Sequence, residues 1–245
     1  MFLIQRSLSR ILTTALVVGA TVSSQAVFGY PDRSSEVNPF VGTTNGGNVF
    51  PGATMPFGMV QFSPEATPVN TKRMIAAPGG YEYRATGIRG FSLTNVEGWG
   101  CAGGSGDVPI MPITEIVDKS PSSDFRHAYS SGFSHTHEKA EPGSYQVKLD
   151  NGVEVDLSAT TRMGVATFRF PEGKPARVLV RTSDSQAGSA EAKTRINLGT
   201  GTVTGSVKSG NFCGYIGTED RRPYYTLHFV AQFDQIGRAS CRERV

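Results

Sequence analysis

Three groups of side chains in this sequence have the right types to do chemistry. Glu65, Glu97 and Asp107 are carboxylates in glycine-rich surroundings. Cleavage of a glycosidic bond needs two carboxylates about 5–10 Å apart, flanking the bond. Nothing in the spacing of these three pairs them, and most acidic residues are solvated surface. The second group is His135-Thr136-His137-Glu138. On a strand, His135 and His137 point to one face, as two metal ligands would. No third ligand stands nearby and one is needed, so a polar strand edge or loop is the plainer reading. The third group surrounds Trp99, the only tryptophan, in the run LTNVEGWGCAGGS from Leu93 to Ser105. An indole ring offers a flat apolar face to the C–H face of a sugar, and Asn95 and Glu97 can hydrogen-bond its hydroxyls. The same ring can instead fold back as a loop anchor over the core, and the residues leave both readings open.

Other enzyme signatures are missing. There is no Walker A loop, no HExxH and no GxSxG. Gly103-Gly104-Ser105-Gly106 is glycine-rich, but no helical pattern follows to aim backbone N–H groups at a phosphate. Cys101, Cys213 and Cys241 have no CxxC spacing for zinc. A Cys101–Cys213 disulfide and two separate thiols are equally compatible with the sequence. The net charge of +3 comes without a Lys/Arg-rich face, which argues against a nucleic-acid partner.

The elements that must position these residues are strands. Glycine (29) and proline (14) are frequent, and no window keeps a helical period. Strands are expected at Phe57–Ser63, Arg89–Thr94 and Val108–Thr114, the last an edge strand because of its prolines. Further strands are expected at Tyr145–Leu149, Val153–Leu157, Val165–Phe170, Arg177–Thr182, Thr194–Leu198, Thr202–Lys208, Phe212–Gly217 and Tyr224–Phe233. Asp150-Asn151-Gly152 reads as a hairpin turn. With 38% hydrophobic residues, the chain is expected to form one large all-β domain, an antiparallel sandwich. Residues 1–26 read as a secretory signal peptide: Arg6 and Arg10, then the apolar Ile11–Ala20, then Ser24-Gln25-Ala26 as a cleavage site. Residues 27–36 read as a linker, 37–235 as the β domain and 236–245 as a foreign or disordered tail.

Several blocks then fall in a familiar order. They are Asn38-Pro39-Phe40-Val41-Gly42-Thr43, the run from Phe50 to Pro64 (FPGATMPFGMVQFSP), Gly80-Tyr81-Glu82-Tyr83, Gly90-Phe91-Ser92 and Gly106 to Pro112 (GDVPIMP). Phe133-Ser134-His135, Glu138 to Tyr145 (EKAEPGSY) and Ala159 to Gly164 (ATTRMG) follow. The series resembles the N-terminal part of glycoside hydrolase family 92, exo-acting α-mannosidases. The resemblance implies a galactose-mutarotase-like β-supersandwich, lacking here the helical (α/α) barrel that follows it in the family. It implies hydrolysis of terminal mannose from mannose-rich glycans with inversion, and the signal peptide read at residues 1–26 makes a secreted or periplasmic location the expectation. The general acid, the general base and a calcium ion belong to the helical part, so no catalytic residue and no metal ligand is carried onto this chain. The chain alone is therefore expected not to hydrolyse its substrate. Trp99, Glu97 and Asn95 are the expected substrate-binding residues, on a wall of the cleft. This sequence departs from many family members at Asn45-Gly46-Gly47-Asn48, Leu93, Asn95 and His137, which leaves linkage preference open. A stand-alone carbohydrate-binding sandwich using the same Trp99 surface is the alternative, and a structural or adhesion sandwich without ligand is a third.

Overall fold

The computed structural model describes residues 32–69, 77–98, 106–124, 128–186, 189–210 and 224–234. All the elements below lie in the compact unit running from Arg33 to Val245. Among the described residues they are twelve strands and two single 3-10 turns, Ser34–Glu36 and Pro121–Asp124. The strands are β1 (Ala53–Thr54), β2 (Gln61–Ala66), β3 (Gly87–Ser92), β4 (Ile110–Ile113), β5 (Ser131–Glu141) and β6 (Ser144–Leu149). They continue with β7 (Glu154–Ala159), β8 (Gly164–Arg169), β9 (Arg177–Val180), β10 (Ala190–Asn197), β11 (Thr202–Gly210) and β12 (Tyr224–Gln232). Every pairing is antiparallel. No helix among the described residues is long and apolar enough to cross a membrane.

The main sheet runs β1-β2-β3-β5-β6-β7-β8, with β4 also beside β3 and β9 beyond β4. Strand β5 turns it into two layers. Its first residues pair with β3 (Ile88 opposite Ser131) and its last pair with β6 (Glu141 opposite Ser144), with a break in register between Phe133 and Glu138. Such an irregularity bends a strand and increases its twist. As a result β1 packs against β6 and β7, and β2 against β7. Strands β6 and β7 follow a period of two: Tyr145, Val147 and Leu149, then Val155 and Leu157, point inward while their neighbours face out. They meet Phe62, Ile88, Phe91, Met111 and Ile113 of the opposite layer in one apolar core. Each such fully buried side chain is worth about 1.5–3 kcal/mol of transfer free energy. The all-β sandwich expected from the sequence is what the chain forms. The hairpin through Asp150-Asn151-Gly152 is also present: Gly152 N–H donates to Leu149 O, and Asn151 Oδ1 accepts from Val153 N.

Two strand expectations need correction. The segment from Phe57 to Val60 is not strand. Gly58 N–H closes a turn onto Met55 O, and Phe57 takes φ 57° with its ring fully exposed. Strand β4 is not an edge, since it lies between β3 and β9. Pro109 O accepts from Arg181 N–H, so odd-numbered residues of β4 direct their amides to β9 and even-numbered ones to the β3 side. On that side β4 pairs only once, Ile110 with Phe91, so the missing N–H of Pro112 faces no ladder partner.

The second sheet is β10-β11-β12. Its central strand buries Val203 and Val207. The expected strand Phe212–Gly217 lies outside the described residues, as do the segments read as signal peptide and tail.

Candidate functional site

Beside the apolar core lies a buried polar cluster, and its origin is a bulge. Glu65 of β2 faces Gly90 and the next residue, Ala66, faces Ile88, so Arg89 of β3 is left over. The extra residue lets Ile88 and Phe91 both reach the core while Arg89 turns elsewhere. Glu65 and Arg89 are both fully buried. Arg89 Nη1 lies 3.0 Å from Asp184 Oδ1, and Nη2 lies 3.7 Å from Glu65 Oε2. Asp184 also pairs with Arg181 Nε, and Arg181 Nη1 donates to the carbonyls of Ala128 (2.9 Å) and Arg89 (3.3 Å). Gln186 Nε2 donates to Glu65 Oε2 at 2.9 Å. Two arginines thus face two carboxylates, which is how buried charge is tolerated. Burial nevertheless pushes the Glu65 carboxyl up from the ordinary 4.5 to about 7, against the opposing pull of Arg89.

Two glycines make room for this cluster. Gly80 has φ +83°, and a Cβ there would sit 2.8 Å from Asn95 Oδ1 and 2.9 Å from both Glu65 Oε1 and Gln186 Nε2. Gly106 has φ +68°, and a Cβ there would lie 2.6 Å from Gln186 Cγ and 2.8 Å from Glu65 Oε2. Both positions need the left-handed backbone and an absent side chain.

The candidate binding segment begins at this cluster. Asn95 is 5% exposed; its Nδ2 donates to Gln61 O (3.2 Å) and Ser92 O (3.4 Å). Its Oδ1 has no hydrogen-bond partner among the described residues. Glu97 is exposed, with its carboxyl raised by partial desolvation, and Gly98 N–H donates to Asn48 O at 3.0 Å. Trp99 and Cys101 lie outside the described residues, as does Cys213. Of the three expected binding residues, the structure therefore places Asn95 at the buried root of the segment and Glu97 on its exposed part.

Asp107 has a different task from that of a reacting carboxylate. It accepts from Tyr225 OH (2.7 Å), Thr94 Oγ1 (3.1 Å) and Ser209 Oγ, so it ties the second sheet to the end of β3. Burial and this carboxylate push the Tyr225 hydroxyl up. Glu65 is likewise sealed from any substrate. Neither forms a carboxylate pair open to a cleft.

The His135–Glu138 motif also resolves. His135 stacks on Tyr83 with ring centroids 3.9 Å apart, and its Nε2 lies 2.6 Å from Tyr83 O. Its Nδ1 lies 2.6 Å from Glu138 Oε2, while Glu138 Oε1 accepts from Tyr145 OH (2.6 Å) and Tyr81 OH (2.9 Å). The Glu138 side chain is fully buried. Both His135 nitrogens are thus engaged within a clamp that joins β5, β6 and the Tyr81–Tyr83 turn, and His137 is exposed and separate. Among the described residues no three His, Cys, Asp or Glu side chains come together to hold a metal. The buried carboxylates present face arginines and hydroxyls, which is not a donor set for calcium.

Sequence reasoning missed Arg89, Arg181, Asp184, Gln186 and the two tyrosines of the clamp. One signal was available: Arg89 interrupts the strand-like run Gly87–Ser92, where a charge implies either an outward face or a buried partner.

The glycosyl hydrolase family 92 N-terminal domain matches residues 36–240. An α-mannosidase of that family from Bacteroides thetaiotaomicron, solved in complex with mannoimidazole, is 30% identical with a TM-score of 0.65, over 82% of this chain and 25% of that one. An inverting mannosidase of the family from the same organism is 30% identical with a TM-score of 0.53, over 69% of this chain and 21% of that one. A protein of Arthroderma benhamiae named an uncharacterized secreted glycosidase is 28% identical over 178 residues, 70% of this chain and 22% of that protein. The chain thus spans about a quarter of the length of these relatives. On the match across most of its length, the chain belongs to glycosyl hydrolase family 92, as the family's N-terminal domain.

Proposed function

We propose that this chain forms one wall of the substrate cleft in a secreted α-mannosidase that removes terminal mannose from mannose-rich glycans with inversion. The observation that carries the reading is the match to the family's N-terminal domain over residues 36–240. Solved relatives named as mannosidases, one of them inverting, support it. The relative named as a secreted glycosidase supports export, with residues 1–26 as the signal peptide. In this reading the acid, the base and a calcium ion that helps distort the sugar are supplied by the helical domain. This chain's residues bind and orient. Trp99 stacks on the sugar next to the scissile bond, Glu97 accepts hydrogen bonds from its hydroxyls, and Asn95 roots the segment that carries both.

Calorimetry with α-mannobiose tests this on the wild-type chain and on Trp99→Ala and Glu97→Ala. Binding by the wild type that weakens at least tenfold in each variant is expected. Wild-type binding that neither substitution changes would remove the 95–99 segment from the site. An aryl α-mannoside assay with calcium adds a second check, since turnover by this chain alone would overturn the assignment of the acid and base elsewhere.

A further inference from the structure

Asn95 Oδ1 and Glu65 Oε1 are two buried oxygens without hydrogen-bond partners among the described residues. Both lie within 2.9 Å of one point, the place a Cβ on Gly80 would take. The orientation of each group is already fixed. Asn95 Nδ2 is committed to two backbone carbonyls, so its oxygen must point into the cluster. Glu65 Oε2 accepts from Gln186 Nε2 and faces Arg89, so a proton on Glu65 belongs on Oε1. Gln186 Nε2 lies 2.9 Å from the same point, but its bonded partner is Glu65 Oε2. Two neighbouring buried acceptors that both lack a donor are costly, and one proton on Glu65 supplies a donor.

We infer that Glu65 is a positioning residue: in its protonated form, Oε1–H donates to Asn95 Oδ1 and holds the root of the 95–98 segment against the core. Ionisation removes that donor, leaves two buried acceptors together and holds Asn95 by its two backbone carbonyls alone. This rests on the reading of the segment as a sugar-binding wall. The charged and titratable groups around Glu65 are Arg89 from β3, Asp184 from the segment after β9 and Asp107 before β4, with the neutral Gln186 beside them. Burial outweighs Arg89, and the two aspartates add to it, so the exchange falls at about pH 7 rather than near 4.5. The sequence neighbours Asn95 and Glu97 then belong to one device: a buried switch at the root and an exposed carboxylate on the wall.

The test follows the Asn95 side-chain amide of the 245-residue chain by 15N–1H NMR between pH 5 and pH 9, with Asn95→Ser to assign the signal. The inference predicts a titration of that amide with a midpoint near pH 7, absent in Glu65→Gln, where an uncharged amide can donate to Asn95 at every pH. A wild-type amide that does not titrate, or one that titrates unchanged in Glu65→Gln, overturns it. The 13C carboxyl signal of Glu65 in the wild type decides the same point if Glu65→Gln does not fold, because a Glu65 ionised throughout that range has no proton to give. Mannobiose titrations at pH 5.5 and pH 8.5 complete the experiment, with at least threefold weaker binding expected at the higher pH and no such loss in Glu65→Gln. Absence of mannobiose binding at both values would sink the sugar-binding reading, while the NMR midpoint still decides the role of Glu65.

Discussion

Replacing Glu138 by leucine removes a carboxylate that three donors share. Tyr81 and Tyr145 are 1% and 0% exposed, and both hydroxyls end on Glu138 Oε1. Without it, two buried hydroxyls lose their partner at about 1–3 kcal/mol each, for a total near 4 kcal/mol. His135 is one-third exposed and can turn to water, so it adds little. Tyr145→Phe alone costs about 2 kcal/mol, the value of a hydrogen bond to a charged group. The two changes are not additive, because the ring left by Tyr145→Phe has no hydroxyl to strand. The double variant is expected to cost about 3–4 kcal/mol, leaving a coupling of about 2–3 kcal/mol between the two sites. Urea midpoints by far-UV circular dichroism at pH 7.5, on the wild type, both single variants and the double, complete the cycle. Strictly additive losses would refute the clamp, and a loss below about 1 kcal/mol for Glu138→Leu would show that water satisfies these hydroxyls.

Three further outcomes follow from the buried cluster and its connections. The Glu65 carboxyl is raised from 4.5 to about 7, so the folded chain holds a proton that the unfolded chain releases in that interval. This contribution to stability is full below about pH 4.5 and lost as pH rises through 7, a difference of about 3 kcal/mol that Glu65→Gln should flatten in urea titrations at several pH values. Gly106→Ala combines a left-handed backbone with a Cβ 2.6 Å from Gln186 Cγ, and should cost about 3 kcal/mol in the same assay; a loss under 1 kcal/mol would show that the cluster relaxes freely. Asp107→Ala frees Ser209 and Tyr225, so hydrogen exchange should quicken in β11 and β12 well before β6 and β7, and equal change in both sheets would contradict its bridging role.

The sandwich was legible because β6, β7 and β8 alternate cleanly and the turn through Asn151 and Gly152 declares itself. The ordered family blocks made the rest consistent. Less legible were the places where one residue breaks the period. Arg89 reads as an outward charge in a strand, and only the bulge opposite Glu65 and Gly90 explains its burial. The proline-rich β4 reads as an edge until the direction of its amides is known. His135 and His137 read as a same-face pair, whereas the irregularity in β5 and the stack on Tyr83 give them separate surroundings. Long-range partners such as Asp184 and Gln186, more than ninety residues from Arg89 and Glu65, leave no local trace. The proposed binding segment rests on residue types and the family resemblance, and at its root the Asn95 amide is fixed by two carbonyls of the β2–β3 region.

Because Trp99 is the only tryptophan, its fluorescence reports on the proposed wall without a label. Titrating the chain with α-mannobiose at pH 6, with α-galactobiose as the control, shows whether this wall binds mannose. A saturable change in tryptophan emission with the mannoside, absent with the galactoside and diminished in Glu97→Ala, is predicted. Emission that stays constant up to high millimolar mannobiose, in a chain whose circular dichroism shows intact β structure, would contradict it.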